Sequence, residues 1–312
     1  MPEKKQIIPP ELMMAISVLA ASTGAIFIRY AQEEASSLVV AAYRLGIGTL
    51  VQMPFALLRY RSVLRRLTRR EWLLAIASGI FLALHFASWI TSLEHTSVAS
   101  SVVLVSVSPL FVALLSTFLL REPLTRLAWV GLAISLTGSA IVAFSDRFGA
   151  LLNAGQPNAA AVYGGTVLWG NLLALAGGVF VAGYLVIGRR LRSTLPLAPY
   201  AFIVFGTAAV TLLAAALASG EAVTGFQPVT YLWFVALGLI PQTVGHAGFN
   251  WALRYLPASF VSISLLGEPI GSSLLALLLL KEVPALPEVF GGAMILCGIY
   301  LATRRQSVAA AG

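Results

Sequence analysis

Few side chains in this sequence could do chemistry in an apolar setting, and they recur at helical spacings. His85, Trp89 and Ser92 fall at i, i+4 and i+7, and Gln242, His246 and Asn250 at i, i+4 and i+8 with Trp251 alongside. Each set shares one helix face. Two such stripes can hold a neutral or zwitterionic amphipathic molecule. They can equally be polar contacts between helices, with Trp as an interfacial anchor. Ser100, Leu104 and Ser108 share another face, as do Phe260, Ser264, Glu268 and Ser272, and Tyr184 is the lining aromatic expected of a further helix.

Charge within apolar runs is costly and marks candidates for function. Glu268 precedes Pro269, which frees a backbone carbonyl one turn earlier. Two readings stay open: a proton-coupling or substrate-ammonium group, or a carboxyl that caps the freed carbonyl. Gly267 and Gly271 flank the pair as small-xxx-small, and Pro109 is a second proline within a run, so these four positions mark kinks or gates. Arg44 cannot shed its charge. It could bind a carboxylate, snorkel to the interface, or hold backbone carbonyls of a neighbouring helix.

Other chemistries lack their residues. There is no Walker-type phosphate loop, no H-E-x-x-H and no G-x-S-x-G. The single cysteine, Cys297, excludes an intrachain disulfide. No cofactor, metal site or catalytic residue is expected. No lysine stands within a run, which argues against phosphate-bearing substrates.

The elements that must position these residues follow from composition. Of 312 residues, 59% are hydrophobic and 10% charged, and the mean hydropathy is +0.90. In soluble domains about 25% of residues are charged. The bilayer is the fitting solvent. Ten runs approach the roughly 20 residues that span it: 12–29, 37–58, 72–93, 97–120, 127–145, 168–188, 197–218, 230–253, 258–280 and 287–303. Their length and lack of alternation predict helices. The first run is too long for a signal-peptide core and is expected to be retained. The net charge of +8 resides in the gaps between runs, which points to membrane topology, with no nucleic acid expected. With the N-terminus inside, 16 Lys and Arg lie on the inner side and 3 on the outer, so both termini are expected in the cytoplasm.

The chain also repeats. Glu122 and Glu282 stand at an offset of 160, and the same offset relates Pro109 to Pro269, Gly131 to Gly291, Gly138 to Gly298 and Gly46 to Gly206. Trp89 and Trp251 pair at 162. Five spans per repeat, an odd number, forces the second to be inverted, an arrangement that puts a substrate site at the repeat interface near the midplane. The expected organisation is 1–145 as the first repeat, 146–167 as linker, 168–303 as the inverted repeat and 304–312 as a cytoplasmic tail. The glycines at heptad spacing on spans five and ten predict close helix packing.

These motifs resemble the drug/metabolite transporter superfamily in its EamA-type ten-span branch. The resemblance is carried by Arg121-Glu122 with Gly131 and Gly138, Lys281-Glu282 with Gly291 and Gly298, Ser108-Pro109-Leu110-Phe111, Leu266-Gly267-Glu268-Pro269, Tyr43-Arg44, and Gly170-Asn171, where Asp is more usual. It implies alternating-access export of small metabolites from the bacterial cytoplasm across the inner membrane, with neutral and aromatic amino acids as the nearest substrate class. It also implies a peripheral second span, hence a structural Arg44. The expected partners are a zwitterionic or neutral amphipathic small molecule and the lipid bilayer, with a homodimer left open. The competing readings are an exporter of other amphipathic metabolites or drugs, and an integral-membrane enzyme acting on a lipid-linked substrate.

Overall fold

The computed structural model describes residues 9–120, 126–145, 165–192, 194–246, 248–249 and 264–304. Among these, every regular element is helical. Seven helices are long and apolar enough to cross a membrane: Pro10–Ala31, Ser37–Arg59, Arg69–His95, Arg126–Ala143, Val167–Arg192, Leu197–Ala218 and Pro228–His246. Three shorter apolar helices, Val98–Val112, Gly267–Leu280 and Leu286–Ala302, stand where the fourth, ninth and tenth spans are expected. Their outward side chains are as apolar as a core: Leu278 is 72% exposed and, on the first span, Leu19 67%. Such a surface belongs against lipid tails.

Local sequence sets where the helices begin. The third span opens on a capping box, in which Glu71 N–H donates to the Thr68 hydroxyl at 3.3 Å and Thr68 N–H to the Glu71 carboxylate at 2.8 Å. The fourth opens on Ser97, whose hydroxyl accepts from Ser100 N–H at 3.1 Å.

Several spans are interrupted. The first breaks at Thr23, between Pro10–Ser22 and Gly24–Ala31. The fourth breaks at Ser106–Val107, between Val98–Val105 and Ser108–Leu120. Pro109 stands second in the new segment, in the first turn, where a backbone N–H would have no partner within that segment. The ninth turns at Leu266 before Gly267–Leu275, and Leu266 is the repeat equivalent of Ser106. The eighth widens into a π-helix over Ile240–His246, around Pro241, with the Thr243 hydroxyl donating to Gly238 C=O at 2.7 Å.

The glycine seam between spans five and ten shows how the halves are related. A Cβ on Gly131 would lie 2.4 Å from the Gly298 carbonyl oxygen, and one on Gly138 2.6 Å from that of Gly291. Early residues of one helix meet late residues of the other, so the two run antiparallel. They are also equivalents in the repeat, and exchanging the halves maps one contact onto the other. That is a two-fold relation between oppositely directed repeats. The packing of the third and eighth spans follows the same exchange: the third span packs on the sixth as the eighth does on the first, and the third on the seventh as the eighth on the second.

Candidate functional site

Arg44 organises the interior. Its side chain is 1% exposed. Nε donates to Gln242 Oε1 at 3.0 Å, and Nη2 is 3.4 Å from His246 Nε2. Arginine has no acceptor, so His246 Nε2 accepts. The guanidinium carbon sits 4.5 Å from the Phe86 ring centroid and 5.6 Å from that of Trp89, within cation–π range. This corrects the expectation of a peripheral second span with a snorkelling or backbone-holding arginine. The helix Ser37–Pro54 is enclosed by the third, seventh and eighth spans. Its arginine therefore reaches no interface and must take acceptors from inside.

The π-helical stretch presents those acceptors. Gln242 and His246 come from Ile240–His246, and Gln242 is itself buried. Opposite them, the third span contributes His85, Phe86 and Trp89. The His85 ring stacks on Trp89 at 5.9 Å with an interplanar angle of 14°, and its Nδ1–H donates to Gly177 C=O at 2.9 Å. Glu268, half-buried, lies close enough for its charge to act on Arg44. Two buried donors in this cluster, Arg44 Nη1 and Trp89 Nε1, have no hydrogen-bond acceptor among the described residues. Nη1 points to Gly24, just after the break in the first span, where a Cβ would approach it to 3.6 Å.

The other sequence-predicted residues go elsewhere. Ser92 is buried one turn beyond Trp89, donating to its carbonyl at 2.6 Å and paired with Ser101 at 2.6 Å. Ser100 donates to the Glu288 carboxylate at 2.6 Å, which ties the fourth span to the tenth; it faces a scaffold contact and not the Arg44 cluster. Tyr184 stacks on Tyr200 at 6.5 Å, a pair that also contains Ser78. Ser108 is half-buried at the break in the fourth span, beside Pro109, and Ser264 is half-buried before the turn at Leu266. Gly267 and Gly271 meet the first span: a Cβ on Gly271 would lie 2.3 Å from Ser22 Oγ, and Ser272 Oγ donates to Ser22 C=O at 3.0 Å. Pro269 is buried beside them. Asn250 and Trp251 lie outside the described residues, as does 146–164 of the linker.

Arg44 and Phe86 are the residues that sequence reasoning undervalued. The signal for Arg44 was present: a permanent cation within a span needs acceptors, and Gln242 and His246 one turn apart supply two.

An all-helical membrane fold of two inverted repeats, with a sparse polar cluster between them, defines a transporter. The sequence model of the EamA-like transporter family matches residues 8–144 and again 168–304. The chain belongs to that family. It is 26% identical over 300 residues to an Archaeoglobus fulgidus protein described as an uncharacterized transporter, covering 94% of this chain and 96% of the other. It is 28% identical over 214 residues to a Streptantibioticus cattleyicolor protein described as a probable terminal-alkyne amino-acid exporter, covering 68% and 66%. A solved crystal structure aligns with TM-score 0.62 and 25% identity over 95% of this chain and 98% of its own.

Proposed function

We infer that this transporter exports neutral amino acids, large or aromatic ones by preference, from the bacterial cytoplasm across the inner membrane by alternating access. The two repeats, 1–145 and 168–303, rock about their interface, with 146–167 as linker and both termini cytoplasmic. The observation that supports the substrate class is the presence of one buried cation, Arg44, against the rings of Phe86 and Trp89, with one interior carboxylate, Glu268, within reach of its charge. A zwitterion with an apolar side chain matches all three chemistries. Its ammonium, its carboxylate and its side chain each have a complement, and ring contact with a cation contributes roughly 0.5–2 kcal/mol. A buried arginine also removes one reason for rejecting acidic substrates, the lack of a cation. The reason that remains is Glu268, which repels a second carboxylate. The amino-acid exporter among the relatives points the same way.

The deciding experiment is counter-flow in proteoliposomes with labelled phenylalanine, leucine and glutamate, with and without a pH gradient. Exchange of phenylalanine and leucine well above glutamate is expected. No exchange of any amino acid would sink the reading.

A further inference from the structure

We propose that Arg44 Nη1 and Trp89 Nε1 form the subsite that receives the substrate's carboxylate. The proposal rests on the amino-acid reading and assigns it atoms. The two N–H groups are buried donors without an acceptor among the described residues. They belong to neighbouring groups, the guanidinium carbon lying 5.6 Å from the Trp89 ring centroid. Buried donors are nearly always paired, and an unpaired one within a charged group is especially costly. Two of them together, one cationic, describe a place prepared for an anion.

The rest of the guanidinium is already committed. Nε is held by Gln242 and Nη2 by His246, and the Phe86 ring lies against its face. These contacts orient the planar fork and leave one edge for a ligand. That edge lies toward Gly24, beside the Thr23 break in the first span, where a Cβ would stand 3.6 Å from Nη1 and 3.5 Å from the Pro241 ring. Trp89 is held in turn by the stack with His85, whose ring is fixed by Gly177. The ligand class that fits is a monocarboxylate carrying an apolar group. The carboxylate accepts from Nη1, with Trp89 Nε1 as second donor, and the apolar group packs along the aromatic faces.

The test uses the full chain in proteoliposomes and two competitors of labelled phenylalanine counter-flow. Phenylpropionate keeps the ring and the carboxylate but lacks the ammonium; phenylalanine amide keeps the ring and the ammonium but lacks the carboxylate. In the wild type both should compete, each lacking one charged contact, and the subsite is read from how the variants change each of them. Arg44→Gln should weaken phenylpropionate about tenfold, the worth of a charge-assisted hydrogen bond, while sparing the amide, and Trp89→Phe, which keeps a ring without the N–H, should weaken phenylpropionate several-fold while sparing the amide. An Arg44→Gln protein in which the amide is weakened as much as phenylpropionate overturns the subsite, even if amino acids are transported. So does a Trp89→Phe protein with unchanged competition, which decides the matter should Arg44→Gln fail to fold. If no amino acid exchanges at all, the exporter reading falls separately. Thermal stabilisation by phenylpropionate in the wild type but not in Trp89→Phe would then still support the carboxylate subsite, and equal stabilisation would overturn it.

Discussion

The Arg44 Nε–Gln242 Oε1 hydrogen bond, 3.0 Å long, joins residues 198 positions apart and ties the second span of one repeat to the π-helical stretch of the other. Gln242→Leu would leave a buried guanidinium with one acceptor fewer. The expected loss is about 1.5–3 kcal/mol, the range for a hydrogen bond to a charged group. Gln242→Glu keeps an acceptor and should melt higher than Gln242→Leu in detergent. The reverse order would show that the bond does not hold Arg44.

Glu268→Gln tests the interior carboxylate. If Glu268 pairs with the substrate's ammonium, phenylalanine exchange should fall about tenfold or more, while the protein elutes and melts as the wild type does. Undiminished exchange with an unaltered pH profile would remove Glu268 from the mechanism and leave it as a residue of the Pro269 turn.

The glycine seam carries the scaffold. A Cβ at Gly131 meets a backbone carbonyl at 2.4 Å, which cannot move aside as a side chain can. Gly131→Ala should therefore cost about 1–3 kcal/mol, the range for overpacking. Gly46→Ala, where nothing lies within 4 Å of the added carbon, should be neutral or slightly stabilising. Comparable thermal melts for the two variants would contradict the close antiparallel packing of spans five and ten.

Asn171 is a buried clasp. It accepts from the Thr96 hydroxyl at 2.8 Å and donates to the carbonyls of Val142 and Ala143, each at 3.2 Å, at the end of the fifth span. Asn171→Leu strands all three groups and should destabilise by more than about 1 kcal/mol. Asn171 bonds to the end of the third span and to the fifth, and not to the Arg44 cluster, so the folded fraction should still exchange substrate with an unchanged apparent KM. A raised KM with a normal melt would place Asn171 in the transport path instead.

The orientation rests on charge alone, so it is tested alone. A reporter fused after Gly312 should be active only in the cytoplasm; activity in the periplasm would reverse every span.

Local pattern in the sequence was enough for the membrane environment, the helical class, the positions of the spans and the antiparallel relation of the repeats. Each depends on residues close in the chain, or on a constant offset such as the one shared by Gly131 with Gly291 and Gly138 with Gly298, which meets the eye without coordinates. Which polar face turns toward which neighbour was not legible. In a bilayer the lipid-facing side is as apolar as the core, so hydropathy does not say which side of a helix is inside. Ser100 shared a helix face with Ser108, and Tyr184 was the lining aromatic expected of the sixth span, yet they pair with Glu288 and Tyr200. Arg44 sat at a depth that suited either the interface or the interior. Only the packing of the second span among the third, seventh and eighth closed its route to water and turned it toward Gln242, His246 and Trp89. A charge that cannot be neutralised must find its acceptors wherever the fold has enclosed it.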